Sequence, residues 1–124
     1  MALQRPEIDP HEGAAPSDLL IEDITPGTGA EATPGHVVEV HYAGVAHSTG
    51  EEFDASWNRG STFQFPLGAG RVIAGWDRGV AGMKVGGRRR LVIPPHLGYG
   101  DRGAGGAIKP GETLIFVVDL VDVH

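Results

Sequence analysis

Several stretches of this chain hold residue types that do chemistry elsewhere, and each points to a different reaction class. Gly98-Tyr99-Gly100-Asp101-Arg102-Gly103 matches the glycine fingerprint of dinucleotide-binding folds letter for letter. That fingerprint must follow a strand and open a helix whose N-terminus holds the pyrophosphate. Here Pro94-Pro95 intervenes before it, and Ala104-Gly105-Gly106-Ala107 with Pro110-Gly111 cannot continue as a helix, so no nucleotide cofactor is expected. The histidines at positions 11, 36, 41, 47, 96 and 124 show neither H-x-x-H nor H-x-x-x-H spacing, and no metal site is expected. Ser48, Ser56 and Ser61 lack the Gly-x-Ser-x-Gly elbow of an acyl-enzyme. No cysteine is present, which removes thiolate chemistry and disulfides.

Three features remain. Asp54, beside Phe53, has the chemistry of a general base, but no acid partner accompanies it, and a lone carboxylate among aromatics is more often a hydrogen-bonded anchor. Tyr42, Phe53, Phe63, Phe65, Trp76, Tyr99 and Phe116 are distributed over six separate segments. Any one of them reads as core packing. The triplet Arg88-Arg89-Arg90 reads as solvated strand positions, with a basic docking patch as the other possibility.

The elements that must position these residues are organised around Val72 to Val80, which predicts a short, weak helix. Ile73, Trp76 and Val80 share one face, with Asp77 and Arg78 opposite. Gly75 and Gly79 each cost about 1 kcal/mol of helix propensity, so the helix needs a sheet to lie on. Before it, Met1 to Ser17 contains three prolines and few apolar residues and is expected to be a flexible tail. The domain then runs from 18 to 124. Leu19 to Ile24 reads as a strand, and Val37 to Tyr42 alternates as a half-buried one. Glu51 to Asp54 is a short edge segment, and Phe63 to Leu67 is confined to an edge or strand end by Pro66. Arg88 to Ile93 and Thr113 to Val123 are further strands, the latter the longest. Between them lies a long glycine-rich loop, 98–112, whose bulky members Tyr99 and Ile108 are placed to cover a site. The expected class is α+β, a curved antiparallel β-sheet wrapped around one short α-helix.

With 124 residues the chain is one domain able to bury a core. Its formal charge of −6 disfavours nucleic acid as a partner. No apolar run approaches the roughly 20 residues of a membrane span, and no secretory pattern opens the chain. The expectation is a cytoplasmic protein, in keeping with the missing cysteines.

The succession Val40-His41-Tyr42, Phe53-Asp54-Ala55-Ser56, Phe63-Gln64-Phe65, Val72-Ile73-Ala74-Gly75-Trp76, Met83-Lys84-Val85-Gly86, Ile93-Pro94-Pro95, Tyr99-Gly100 and Leu114-Ile115-Phe116 resembles the FKBP-type peptidyl-prolyl cis-trans isomerases. The resemblance covers about Leu19 to Val123. It implies an isomerase without cofactor or covalent intermediate, acting on X-Pro bonds in a proline-sized pocket and assisting folding as a monomer. Trp76 would be the floor, Tyr42, Phe53, Phe63 and Phe116 the walls, and Val72 and Ile73 a lip whose Ile73 N–H meets a ligand carbonyl. Tyr99 and Ile108 would form the flap, the Tyr99 hydroxyl a second donor, and Asp54 the polar group at the rim. Asp54, Tyr99, Phe53, Ile73 and Trp76 would carry catalysis. Proline-containing polypeptides would be substrates, and macrolides of the FK506 and rapamycin type inhibitors. The departures lie in the flap, at Ala104, Ala107 and Lys109. A proline-peptide or macrolide binding module with weak turnover is the competing reading; a general chaperone would need an inserted domain for which 93–113 is too short.

Overall fold

The structure, a computed structural model, describes residues 4–6, 8, 16–104 and 108–124. Among these residues six strands and one α-helix follow in the order β1 (Leu20–Thr25), β2 (Val37–Ala46), β3 (Glu52–Ala55), β4 (Phe63–Pro66), α1 (Ala74–Gly79), β5 (Arg88–Ile93) and β6 (Leu114–Val123). All pairings are antiparallel, and across the sheet the order is β1-β5-β6-β2-β3, with β4 also on β2. The expected α+β architecture is therefore present. β4 pairs with the start of β2, from Val37 to Val40, and β3 with its end, from Ala43 to Val45. Pro66 sits opposite Val37 in the outer strand, where its missing N–H costs no ladder bond.

Two elements differ from expectation. β2 continues four residues past Tyr42 to Ala46, making it as long as β6 at 10 residues. Its alternation of burial stops at Tyr42, after which every residue is buried. A half-buried strand cannot do that, so both faces of the sheet are covered there. The helix is also shorter than expected, because Ile73 caps it from outside with extended backbone, ψ 148°.

The core lies between the concave face of the sheet and α1. Trp76 and Val80 are buried there, with Leu91, Ile93, Phe116 and Val118 beneath them. Gly75 and Gly79 prove to be the contact surface of the helix. A Cβ on Gly75 would stand 2.5 Å from Ile93 Cγ2, and one on Gly79 would stand 2.7 Å from Leu91 Cδ1. Their weak propensity is offset because only glycine lets the helix axis come this close to β5.

The ends of α1 are tied by side chains. Asp77 accepts the N–H groups of Gly68 (2.9 Å) and Gly70 (3.1 Å), fixing the loop that enters the helix. Arg89 donates to the carbonyls of Gly79 (2.9 Å) and Ala81 (3.1 Å) and binds Asp23 of β1 at 2.7 Å. Arg88 forks onto Asp119 at 2.6 and 3.2 Å. The reading of these arginines as solvated positions is thus corrected for Arg88 and Arg89: the strand places each beside groups that need a donor, carbonyls at and just past the end of α1 in one case and a buried carboxylate in the other. Burial pushes the Asp119 carboxyl up, against the opposing pull of Arg88.

Most of the segment 1–17, expected to be a free tail, lies outside the described residues. Three of the described ones touch the domain. Gln4 accepts from Arg88 through its carbonyl, Arg5 pairs with Glu52, and Ile8 packs on Val45, Val92 and Ile115. In the sequence Ile8 is an isolated apolar residue; the fold supplies it with a second, smaller cluster on the convex face. Among the described residues no helix is long and apolar enough to cross a membrane.

Candidate functional site

Where the sheet curls around the start of α1, a cavity of about 640 Å³ opens to solvent. All ten residues expected at the site line it. β2 contributes Tyr42, β3 Phe53 and Asp54, β4 Phe63 and β6 Phe116. Val72 and Ile73 stand at the entry to α1 and Trp76 in its first turn, while Tyr99 and Ile108 come from the loop 98–112. Gly70, Arg71 and Ala104 also line it, and sequence reasoning did not single them out as lining residues. Ala107, named among the flap departures, lies outside the described residues.

Trp76, 5% exposed, forms the floor. Around it the rings of Tyr42 (4.8 Å), Phe116 (5.2 Å) and Phe63 (6.0 Å) stand edge-on, and Phe65 tilts behind it at 5.6 Å. Edge-to-face packing points ring hydrogens and π-faces in different directions, so the wall carries a rigid pattern of weak positive and negative charge. Phe53 meets Phe116 at 5.3 Å with planes nearly perpendicular.

Gly44 makes that last contact possible. A Cβ there would lie 2.6 Å from Phe116 Cε1 and 2.7 Å from Phe53 Cζ. Gly44→Ala is therefore expected to drive both ring edges into the cavity, costing about 1–3 kcal/mol of stability and more than roughly tenfold in turnover through misplaced walls. Urea unfolding beside steady-state kinetics tests this; a folded variant with unchanged kinetics would remove the two rings from the working wall.

The polar rim is a three-member network. Tyr42 Oη donates to Asp54 Oδ2 at 2.6 Å and accepts from Arg59 Nη2 at 2.8 Å, while Arg59 Nη1 binds Asp54 Oδ1 at 3.0 Å. The guanidinium also lies 5.7 Å from the Tyr42 ring centre. Burial alone would raise the Asp54 carboxyl, but the bonds from Tyr42 and Arg59 outweigh it and hold it below the usual carboxylate range. Burial, then the bond to Asp54, pushes the Tyr42 hydroxyl up. Each Asp54 oxygen accepts a hydrogen bond, and a carboxyl held below its usual range is a weak base, so the arrangement suits an anchor for Tyr42. Sequence reasoning missed Arg59. Its partner lies five residues upstream across a 3-10 turn, Ser56–Arg59, and that turn brings the two together; no simple periodicity marks such a spacing.

The loop 98–112 folds over one side. Ala104 and Ile108 exchange backbone bonds at 2.9 and 3.1 Å, pinching it shut, and Gly103 N–H reaches the Tyr99 carbonyl at 3.1 Å. Gly103 has φ +68°, and a Cβ there would strike the Ile108 carbonyl at 2.2 Å, so this glycine belongs to a tight turn and opens no helix. Ile108 is buried and Tyr99 is 40% exposed, its hydroxyl pushed up by burial and by the Asp54 charge. Among the described residues neither the Tyr99 hydroxyl nor the Ile73 N–H is taken by another group.

A curled antiparallel sheet that holds an aromatic cavity over a short helix, with its one rim carboxylate fully bonded, defines a pocket protein for a compact apolar group flanked by amide carbonyls. Residues 29–121 match the model of the FKBP-type peptidyl-prolyl cis-trans isomerase family. The chain is 66% identical over 124 residues to the FK506-binding protein of Streptomyces anulatus, covering 99% of this chain and 100% of that one. It is 55% identical over 93 residues to the peptidyl-prolyl cis-trans isomerase FPR2 of Saccharomyces cerevisiae, covering 75% of this chain and 69% of that one. The crystal structure of AtFKBP13 is similar with a TM-score of 0.80 and 39% identity, over 89% of this chain and 96% of that one. The chain belongs to the FKBP-type peptidyl-prolyl cis-trans isomerases, enzymes that rotate the peptide bond preceding proline.

Proposed function

We propose that X-Pro bonds rotate in the cavity floored by Trp76, in proline-containing segments of polypeptides that are folding or exposed. The observation that carries this reading is the set of aromatic walls standing without a free acid–base pair. Rotation about an X-Pro bond has a barrier of about 20 kcal/mol set by amide resonance, and unaided it takes tens of seconds. No covalent bond needs to form or break. The catalyst must bind the twisted amide more tightly than either planar isomer.

The twisted amide has lost conjugation and some carbonyl polarity, so a dry apolar wall disfavours it less than it disfavours the planar forms. Ring edges of Tyr42, Phe53 and Phe116 offer weak C–H···O contacts to the rotated carbonyl. The free Ile73 N–H and the Tyr99 hydroxyl hold the chain on either side of the bond, and Val72 and Ile108 close over the proline ring. Asp54 keeps Tyr42 in place, with Arg59 neutralising its charge. Macrolides of the FK506 and rapamycin type compete for the same walls. Indifference to nucleic acid, supported by the charge of −6, and a cytoplasmic location, in keeping with the absence of cysteine, belong to this reading together with a monomeric state and a role in protein folding.

The pH dependence follows. Asp54 titrates below the usual range, and Tyr42 and Tyr99 above it. The charged form of Asp54 is therefore present above its unfolded value and is lost as the pH falls through its lower folded value. Turnover is expected to be flat from about pH 5 to about pH 9, with loss on the acid side as Asp54 takes a proton and on the far alkaline side as the tyrosine hydroxyls lose theirs. A bell centred near neutrality would mean that a proton moves in the transition state, against this mechanism.

The direct test follows cis-trans exchange of an X-Pro peptide by NMR, with and without rapamycin. Turnover suppressed by the macrolide supports the reading. A folded protein that binds rapamycin without turning the peptide over would instead be a binding module.

A further inference from the structure

β6 is buried at every position from Leu114 to Leu120, on both of its faces. The helix covers only the concave one, so the convex face has a second cover. Ile8 supplies part of it, against Val45, Val92 and Ile115. Three residues earlier, Arg5 reaches a different place. Its guanidinium pairs with Glu52 and donates to Asn58 Oδ1 at 2.7 Å, and Asn58 Nδ2 donates to Glu52 Oε2 at 3.0 Å. Glu52 opens β3, two residues before Asp54. Asn58 is the neighbour of Arg59. The base of the segment 52–59 is thus closed by a knot whose third member comes from ahead of β1, while Asp54 and Arg59, on the same segment, meet Tyr42 at the cavity.

The family match begins only at residue 29, whereas the likeness to the Streptomyces anulatus protein extends over 124 residues. Glu52 and Asn58 lie within the part of the fold that the family model describes, and Arg5 lies outside it.

We propose that Arg5 is a positioning residue of the isomerase: it holds the segment 52–59 so that Asp54 and Arg59 keep Tyr42 in its working orientation. The proposal rests on the Tyr42 wall taking part in turnover. Without Arg5, the side chains of Glu52 and Asn58 keep their mutual hydrogen bond, and the segment that carries both Asp54 and Arg59 gains freedom where the wall needs it fixed.

The test uses the full chain with Arg5→Ala, Arg5→Lys, Glu52→Ala and the double variant Arg5→Ala/Glu52→Ala, with Ile8→Ala as a control for simple loss of covering. Each is assayed at a temperature where circular dichroism shows it folded. Arg5→Ala is expected to lower kcat/KM about three- to tenfold and to move the acid limb of the pH profile upward, as Asp54 loses the steady grip of Arg59. Arg5→Lys recovers part of the loss, and the double variant is no worse than Arg5→Ala alone. Ile8→Ala lowers the melting temperature and leaves the turnover of the folded protein unchanged. An Arg5→Ala variant with wild-type kcat/KM and acid limb overturns the proposal, and so does strict additivity of Arg5→Ala with Glu52→Ala. Titration of the Asp54 carboxyl by NMR reads the link without turnover. An upward move in Arg5→Ala supports it and no move overturns it, even if the wild-type chain bound rapamycin without isomerising a peptide, which would sink the reading of the pocket instead.

Discussion

Replacing Trp76 by Ala is expected to cost about 3–5 kcal/mol of stability, a large share of what a domain of this size possesses. The indole is 5% exposed and touches the rings of Tyr42, Phe63, Phe65 and Phe116, so its removal leaves a void that four aromatic neighbours cannot close together. The same void is the floor of the cavity, and rapamycin affinity should disappear with it. Trp76→Phe keeps most of the ring contacts and should remain folded with weakened binding. Urea unfolding and macrolide titration on both variants read the two losses separately. If Trp76→Ala stayed folded and still bound the macrolide, the cavity would not be the binding site.

Arg88→Met should have a comparable effect on stability for a different reason. Asp119 is 3% exposed and takes both of its strong bonds from Arg88. Removing the cation leaves a carboxylate in an apolar layer, at an expected cost of about 3–5 kcal/mol near neutral pH. Burial already raises the Asp119 carboxyl, and without Arg88 nothing on that arginine's side opposes the rise. An acid whose folded pKa is raised favours the fold in its protonated form, so the deficit is full above that pKa and shrinks as the pH falls through it. Unfolding at pH 7 and pH 4 should show a gap that narrows in acid. Pairing Arg88→Met with Asp119→Leu should restore most of the loss, because an apolar pair replaces an ionic one at little cost. A deficit identical at both pH values would deny that the unpaired charge is its cause.

What was legible in the sequence follows a physical division. The strands announced themselves through period-2 patterning and turn residues, and the aromatic lining through residue types whose order resembles a known family. Three features were hidden because they depend on distance in space. Gly44 stands beyond the strand that the alternation marks from Val37 to Tyr42, and only the fold shows that Phe53 and Phe116 need its missing side chain. Arg88 and Arg89 look solvated because charge usually is, yet the sheet sets one beside Asp119 and the other against the last carbonyl of α1 and that of Ala81. Arg59 reaches Asp54 only through a 3-10 turn. The apolar run in β6 signalled burial, but only the tertiary structure shows that one of its covers comes from Ile8, more than a hundred residues earlier.

The order of strands in the chain is not their order in the sheet. β6, the sixth to be made, lies in the middle, with β5 and β1 on one side and β2, β3 and β4 on the other. During translation, at roughly 5–20 residues per second, the two sides meet only across α1 until the strand between them is made. Val38 and Val40 of one, and Leu91 and Ile93 of the other, have no strand between them until residues 114–123 leave the ribosome. The growing chain thus presents apolar strand edges of the kind that holding chaperones cover. A prolyl isomerase of this topology is itself a dependent passenger of the ribosome until its sixth strand has been made.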